Sequence, residues 1–186
     1  MSRLIFMLEE ISMRELLYGL LPRIIPGTEF LLIVHEGKND LQSSLKKKLI
    51  SWQIPEDRFV VVHDKDSADC LKLKQELRDI CIYAGREDTL IRIPCHELEA
   101  WFLGDLKAVG LTYQINNLAA LQEKQQYGNP DHLGSPYQEL IRLAPGYQKV
   151  SGSRAIAANL SPVENRSHSF KVFIEGVQLI AEQLEK

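Results

Sequence analysis

Cysteine is scarce in this chain, and its three cysteines indicate neither a disulfide framework nor a zinc site. Cys70, Cys81 and Cys95 are an odd number at unrelated spacings, whereas disulfide-stabilised domains carry paired cysteines. A structural zinc site needs a CxxC pair or a Cys/His cluster, and the five histidines supply none at a suitable spacing. We therefore expect small buried thiols.

Long apolar runs and leader signals are missing as well. No stretch approaches the roughly 20 apolar residues that cross a bilayer. The N-terminus has no basic flank followed by a long apolar core and a small-residue cleavage site, so we read no secretory signal. A Walker A sequence is also absent, which argues against ATP binding of the P-loop kind. These absences predict a cytoplasmic protein with no membrane partner.

A strong net charge is the third absence. The formal charge of the 186 residues is −3, which gives no overall attraction to nucleic acid, although a local basic face remains compatible with it. Hydrophobic content of 45% and charged content of 25% are typical of globular proteins. The length suits one sizeable core, or one domain with a subdomain.

Short apolar runs alternate with amphipathic segments over the first hundred residues. Apolar, β-branched runs predict strands, and apolar residues at helical spacing predict helices. The alternation predicts an α/β fold, with a mainly parallel four-stranded Rossmann-like sheet flanked by helices. The predicted strands are 3–8, 29–35, 58–63 and 89–94, and the predicted helices are 12–21, 40–52, 68–83 and 95–103.

The character of the sequence changes after residue 110, where Gly and Pro separate short helical pieces at 117–126, 136–143 and 168–185. We therefore predict two units, an α/β domain at 1–108 and a helical C-terminal subdomain at 109–186 that packs on it. In the first helix, the capping-box pattern predicts that Ser12 caps the helix and that Pro22 closes it.

Carboxylates follow every predicted strand. Ligands of open α/β sheets bind beyond the carboxyl ends of the strands, and the acids there are Glu9 and Glu10, Glu36, Asp64 and Asp66, and Glu97 and Glu99. Asp64 and Asp66 would repel each other unless a cation lay between them. Hard oxygen ligands of this kind suit Mg²⁺ or Mn²⁺. The alternative is that Asp66 only caps the following helix.

Several motifs carry a family resemblance. They are FMLE near the start, HEGKND, VVHDKDSADC, RIPCHELEAWFLGD and YQKVSGSR. Over roughly residues 1–105 the chain resembles the Toprim fold of topoisomerases, primases and overcoming-lysogenization-defect nucleases. As a whole it resembles the DUF4276 family of bacterial Toprim-like proteins. The resemblance implies that a glutamate after the first strand and the two aspartates after the third converge on Mg²⁺, because those strands are neighbours in the sheet.

Two glutamates compete for the first-strand position. Counting elements favours Glu9, because Glu36 would leave only one helix before Asp64 and no second strand. Toprim glutamates are typically followed by Gly, however, and Glu10 stands there in this chain. By this resemblance Glu9, Asp64 and Asp66 are metal ligands and catalytic residues. Glu97 is then a further ligand or a proton acceptor.

Glu99 is the alternate to Glu97. In a helix the two carboxylates would diverge by roughly 200°, and in an extended segment they would share a side. Either one is alternatively a helix-start carboxylate that the helix dipole favours.

Substrate contact requires cations, because the acids themselves repel phosphate. We predict that Lys38, Lys149, Ser151, Arg154 and Arg166 bind substrate, since Gly and Ser flanked by Lys or Arg suit phosphate oxygens. The serines are alternatively helix caps, and Lys46, Lys47 and Lys48 are alternatively a solvated helix face.

The acids and cations together predict a nuclease that depends on Mg²⁺ or Mn²⁺ and acts on DNA or RNA. The resemblance further implies an AAA-type ATPase as protein partner in bacterial antiviral defence. One alternative is a non-catalytic regulatory module that binds a metal ion or a nucleotide. Another is phosphoryl transfer on a small nucleotide.

Overall fold

A parallel sheet forms the centre of the first ninety residues. In a computed structural model, which describes residues 2–64, 69–94 and 97–184, its strands pair in the order β2-β1-β3-β4, and every pair is parallel. The predicted four-stranded α/β sheet is thereby confirmed. The strands are β1 (Leu4–Leu8), β2 (Phe30–Val34), β3 (Arg58–Val62) and β4 (Leu90–Arg92).

Strand β1 lies between β2 and β3. All five of its residues have 0% exposure, which explains why it is apolar on both faces rather than alternating. Its last residue, Leu8, pairs with Val34 on one side and Val62 on the other. The residues that follow these three strands, Glu9, His35 and His63, therefore emerge next to one another at one edge of the sheet.

Helices connect the strands and make up most of the C-terminal part. Within the described residues they are α1 (Ile11–Ile24), α2 (Lys38–Ser51), α3 (Cys70–Tyr83), α4 (Glu99–Leu103), α5 (Leu106–Tyr113), α6 (Pro136–Leu143), α7 (Lys149–Ala157) and α8 (His168–Leu184). The predicted helix at 136–143 has the bounds that the structure gives α6. Short 3₁₀ helices occupy Leu118–Glu123, Gln125–Tyr127 and Pro130–His132.

Helices α2 and α3 cover one face of the sheet. Their apolar sides meet the strand residues that point that way, in a cluster of Ile5, Met7, Leu41, Leu45, Leu49, Phe59, Val61, Leu73, Leu77, Cys81 and Ile91. Each large side chain buried there contributes roughly 1.5–3 kcal/mol. This single layer of two helices leaves its outer surface exposed.

The other face carries the larger core. Leu4, Phe6 and Leu8 pack there with residues of α1 and of every helix from α4 to α8. Trp101 and Phe102 of α4 have 0% exposure, so these aromatic residues belong to the core. The predicted division into 1–108 and 109–186 stays a prediction. Its boundary falls inside α5, and this core contains residues from both sides of it.

Small residues let the C-terminal helices approach closely. A Cβ at Gly19 would lie 2.8 Å from the Cβ of Ala157, so glycine allows α1 and α7 to pack against each other. Helix α8 is held to β4 by Arg92, whose Nε donates to the carbonyl of Val172 at 3.0 Å. Gly176 leaves the room that this guanidinium occupies.

Three local predictions were wrong. Ser12 does not cap α1, which has Glu10 at its N-cap and contains Pro22 within its last turn. Because proline has no backbone N–H, Pro22 makes no hydrogen bond to the carbonyl of Tyr18, and the helix nevertheless continues to Ile24. The segment 117–126 forms 3₁₀ helices rather than an α-helix, and the α-helix of this region, α5, comes earlier, at Leu106–Tyr113.

In the part of the chain that the structure describes, no helix combines the length and the apolar character needed to cross a membrane.

Candidate metal centre

The carboxylate of Glu9 contacts Asp64, the second residue after β3. Its Oε2 accepts a hydrogen bond from the backbone N–H of Asp64 at 3.0 Å. Glu9 is 8% exposed, so its carboxylate is fixed at the edge of the sheet. The in-register pairing of β1 with β3 produces this contact. The structure thus brings Glu9 and Asp64 together, as the order of elements predicts.

A buried histidine orients the Glu9 carboxylate. His63 is 2% exposed, and its Nδ1 lies 3.1 Å from Glu9 Oε2 and 2.8 Å from the carbonyl oxygen of Asp64. Its Nε2 lies 3.4 Å from Nε2 of Gln42. The tautomer that satisfies these contacts carries its proton on Nδ1 and accepts at Nε2. Such outer partners fix the orientation of metal-ligating groups.

The donor set fits a hard divalent cation. Glu9 and Asp64 bring carboxylates from neighbouring strands to an open sheet edge, and carboxylate oxygens are the protein ligands that Mg²⁺ and Mn²⁺ prefer. The predicted third ligand, Asp66, lies outside the described residues. Among the described residues alone, no group of three or more His, Cys, Asp or Glu side chains is arranged to hold a metal ion.

Glu97 and Glu99 point to different partners. Oε2 of Glu97 accepts from the backbone N–H of Tyr137 at 2.9 Å, in the first turn of α6. Oε1 of Glu99 accepts from the Tyr147 hydroxyl at 2.8 Å. Because Glu99 opens helix α4, the two side chains diverge, as expected for a helical start. Their predicted roles at the metal stay predictions.

Glu99 is a buried acid, with 1% exposure. Burial raises its pKa above the ordinary value, against the opposing effects of the Tyr147 hydroxyl and the charge of Lys149. The pKa of Tyr147 is raised as well, by its own burial and by the negative charge of Glu99. Burial thus favours a proton on each of the two groups, and a nearby cation opposes that effect at the glutamate.

Lys149 supplies that cation at the N-terminus of α7. Its Nζ lies 3.5 Å from Oε2 of Glu10 and 5.5 Å from the ring centroid of Tyr137. Burial lowers its pKa, but the charges of Glu99, Glu10 and Asp64 more than offset burial and leave the pKa raised. The structure thus brings a predicted substrate-binding lysine to the carboxylate edge.

Glu10 has a contact that explains its presence in this chain. Its carboxylate accepts from the Ser12 hydroxyl at 3.1 Å and pairs with Lys149. The residue that stands where the Toprim pattern has Gly therefore links the start of α1 to the start of α7. Its side chain is turned to the lysine.

The end of β2 is arranged differently. Glu36 is exposed, and its backbone N–H donates to Oδ2 of Asp40 at 3.0 Å. Gly37 follows with φ of 83°, a backbone conformation that favours glycine, and its N–H donates to the carbonyl of Glu9 at 3.2 Å. Lys38, which directly follows Gly37, is exposed at the first position of α2.

The segment around Ser151 is helical. Residues 149–157 form α7 with Gln148 at the N-cap, so Ser151 lies within the first turn, where it is exposed. Nε of Arg154 lies 2.6 Å from Oε2 of Glu15, a buried residue of α1. This hydrogen bond lowers the pKa of Glu15. Arg154 thus joins α7 to α1, and its role in substrate binding stays a prediction.

Arg166 lies in the turn before α8. It donates to the carbonyl of Gln122 at 2.7 Å and pairs with Glu123. Nearby, Ser167 Oγ accepts from the N–H of Phe170 at 3.1 Å, so Ser167 caps α8. Arg166 ties the 3₁₀ segment to α8, and a further role in substrate binding is untested.

Sequence reasoning missed three residues of this centre. His63 directly precedes Asp64 in the chain, and a histidine between a buried strand and an acid was the available signal. Tyr147 and Gln42 carried no comparable signal, because their contacts with Glu99 and His63 span 48 and 21 residues.

Comparisons with known proteins give one positive result. Neither the curated proteins nor the solved structures provide a match to the chain. The family model described as "Domain of unknown function (DUF4276)" matches residues 8–178, which include strands β2 to β4, the candidate metal centre and most of the C-terminal helices. The chain therefore belongs to the DUF4276 family.

Proposed function

We propose that this protein is a nuclease of the Toprim kind that depends on Mg²⁺ or Mn²⁺ and hydrolyses phosphodiester bonds of DNA or RNA. The observation that supports it is the contact between Glu9 and Asp64, whose N–H lies 3.0 Å from the glutamate oxygen. Two acidic residues 55 positions apart in the chain are thereby neighbours at the carboxyl ends of parallel strands, where ligands of such sheets bind. A role of Asp66 as a helix cap alone would not require Glu9 and Asp64 to lie in contact.

Glu9, Asp64 and Asp66 would hold the cation. When bound, the cation supplies a Lewis acid that lowers the pKa of water and neutralises charge on the phosphodiester. His63 keeps the Glu9 carboxylate in one orientation. Glu97 and Glu99 already accept hydrogen bonds from Tyr137 and Tyr147, so we propose a centre built on the first three acids.

Lys149 has the matching role on the substrate side. Its ammonium stands next to Glu10 and within electrostatic range of Asp64, where it would attract and orient a phosphate that the acids repel. An ammonium at this edge also stabilises negative charge that develops on phosphate oxygens during hydrolysis.

The decisive experiment measures hydrolysis of labelled DNA and RNA with Mn²⁺, Mg²⁺ or EDTA. Asp64→Ala should abolish cleavage while circular dichroism stays unchanged. Asp88→Ala is the matched control, because Asp88 is exposed and precedes β4 at the opposite edge of the same sheet. Cleavage that persists in Asp64→Ala, or that needs no divalent cation, would contradict the proposal.

A second candidate is a non-catalytic metal- or nucleotide-binding module. The position of Lys149 favours it, because an ammonium among Glu10, Glu99 and Asp64 already balances negative charge there. On this alternative, Lys149→Met should strengthen Mn²⁺ binding in calorimetry, and no cleavage should be seen under any condition. On the nuclease proposal the same variant should lose most of its activity.

The proposal also includes an AAA-type ATPase partner and a place in antiviral defence. Its support is the resemblance of the motifs HEGKND, RIPCHELEAWFLGD and YQKVSGSR. Co-purification with a tagged ATPase encoded beside the gene would test the partner.

A further inference from the structure

The exposed outer surface of helices α2 and α3, here named the α2–α3 face, concentrates positive charge. Both helices pack on one side of the sheet through their apolar residues, so their polar sides form one surface. Seven cations and three carboxylates give these two helices a net charge of +4, and the rest of the chain carries −7 to reach the total of −3. The cations are Lys38, Lys46, Lys47, Lys48, Lys72, Lys74 and Arg78.

Most of these cations have no ionic partner among the residues that the structure describes. Among the described residues, no carboxylate lies within ion-pair distance of any of five of them, namely Lys46, Lys47, Lys72, Lys74 and Arg78. Elsewhere the pattern differs, since Arg3, Arg142 and Arg154 each pair with a carboxylate. The positive charge of these five residues is therefore available to a partner.

Helix stability does not account for the positions of Lys72 and Lys74. Lys72 and Lys74 lie near the N-terminus of α3, where the helix dipole disfavours positive charge. Lys48 differs, because it lies in the last turn of α2, where the dipole favours a cation, and its Nζ donates to the Ser44 hydroxyl. Lys46 and Lys47 directly precede this last turn, and both are exposed.

The face begins at the candidate metal centre. Gly37, at the N-cap of α2, donates to the carbonyl of Glu9, and α3 starts a few residues after Asp64. From Lys38 to Lys47 helix α2 advances by about 13 Å, at 1.5 Å per residue. One strand of B-DNA carries about four phosphates over that length. The aromatic Tyr83 is 69% exposed, and Lys46 Nζ lies 3.5 Å from its ring centroid.

We propose that the α2–α3 face binds the phosphate backbone of a nucleic acid and holds it beside the Glu9–Asp64 centre. The proposal rests on the proposed function for the identity of the substrate, but backbone binding is measurable without any cleavage. Because the contacts are to phosphates rather than to bases, the face should bind without sequence preference.

The test is the salt dependence of binding in EDTA, measured by the anisotropy of a fluorescein-labelled duplex of about 20 base pairs between roughly 50 and 200 mM salt. The variant Lys47→Gln/Lys72→Gln/Lys74→Gln removes three exposed cations of the face. The control Lys107→Gln/Lys124→Gln/Lys171→Gln removes three exposed cations elsewhere. Both variants change the net charge equally. Thermal unfolding verifies that both are folded.

The face variant should bind at least roughly tenfold more weakly, and its slope of log affinity against log salt should be shallower by about 2 to 3, near 0.9 per lost contact. The control should keep the wild-type slope. A parallel assay with RNA of the same sequence shows which backbone is bound more tightly, and either result supports the face.

Equal slopes for the two variants would overturn the inference. So would a result in which vesicles of anionic lipid, and no nucleic acid, distinguish the face variant from the control. If the slope changes but no condition yields cleavage, the face stands and the nuclease proposal fails. If cleavage occurs but the slopes are equal, the nuclease proposal stands and the face fails.

Discussion

Strands β2 and β3 end in the same pattern, a histidine followed by an acid, yet their ends are built differently. His63 and Asp64 follow β3, and both contact Glu9. His35 and Glu36 follow β2, and Glu36 is exposed while its backbone is held by Asp40. Both strands are neighbours of β1, but the Glu9 carboxylate turns to β3. The same two-residue pattern thus takes part in the candidate centre on one side of β1 only.

The two histidines show the same difference. His63 is 2% exposed and His35 is 3% exposed, so burial does not distinguish them. Nδ1 of His63 lies against the Glu9 carboxylate, whereas Nδ1 of His35 lies 3.0 Å from the carbonyl of Leu8. Nε2 of His35 has no hydrogen-bond partner within the described ranges. His63 thus contacts the Glu9 carboxylate, whereas His35 contacts the backbone of β1.

The largest expected effect separates Glu9 from Glu36. Glu9→Gln should lower Mn²⁺-dependent hydrolysis by roughly 1,000-fold, equivalent to about 4 kcal/mol of transition-state stabilisation, because an amide is a poor ligand for a hard cation. Glu36→Gln should retain activity within about twofold, since its side chain is exposed away from this contact. Initial rates on a labelled nucleic acid measure both. An inactive Glu36→Gln beside an active Glu9→Gln would reverse the assignment.

The next effect separates His63 from His35. His63→Leu should weaken Mn²⁺ binding by about 10- to 100-fold, the usual cost of losing an outer partner of a metal ligand. His63→Asn should recover part of the loss, because its amide N–H can replace Nδ1–H. His35→Leu should leave Mn²⁺ affinity unchanged. Titration calorimetry without nucleic acid gives the three affinities, and equal losses in both leucine variants would remove the distinction.

A pH effect on stability is expected from His35. Burial, with a smaller effect of Lys48, lowers its pKa from the ordinary 6.5. As pH falls through 6.5, His35 binds a proton in the unfolded chain but not in the folded protein. The free energy of unfolding therefore decreases until the pH reaches the lower pKa that His35 has in the fold. Urea unfolding at several pH values from 7.5 downwards should show a smaller loss for His35→Asn than for wild type. Parallel curves would contradict this account.

The smallest effect concerns the loop after β2. Asp40→Ala removes the acceptor for the Glu36 N–H and should cost about 0.5–1 kcal/mol of stability, the usual cost of a lost capping interaction. Hydrolysis should not change. Asn39→Ala, at the exposed neighbouring position, is the control for thermal unfolding. A loss of activity in Asp40→Ala would mean that this loop belongs to the centre.

Much of the fold follows from local pattern. The strands are short apolar runs, the helices between them have apolar residues at helical spacing, and the structure gives each predicted strand within about two residues of its bounds. The convergence of Glu9 and Asp64 also followed from the order of elements, because strands that pair in register bring their ends together.

Other parts of the site did not follow from pattern. The Gly- and Ser-rich segment at 149–154 suggests a phosphate-binding loop but forms helix α7, because packing against α1 overrides weak local propensity. Arg154 and Arg166 looked like free cations, yet they pair with Glu15 and Glu123. In both cases the carboxylate partner lies far away in the chain. The spacing of residues along the sequence therefore does not indicate which partner each arginine has.

The amino-acid sequence by itself determined the parallel sheet, because runs of apolar residues must be buried on both faces and their spacing leaves room for crossover helices. Only the tertiary structure decided which cation pairs with which acid. Those choices depend on which helix packs against which strand, as when α7 docks on α1 and carries Lys149 to Glu10. Contacts of that kind are set by the three-dimensional fit of distant segments, whereas residue order specifies the segments themselves.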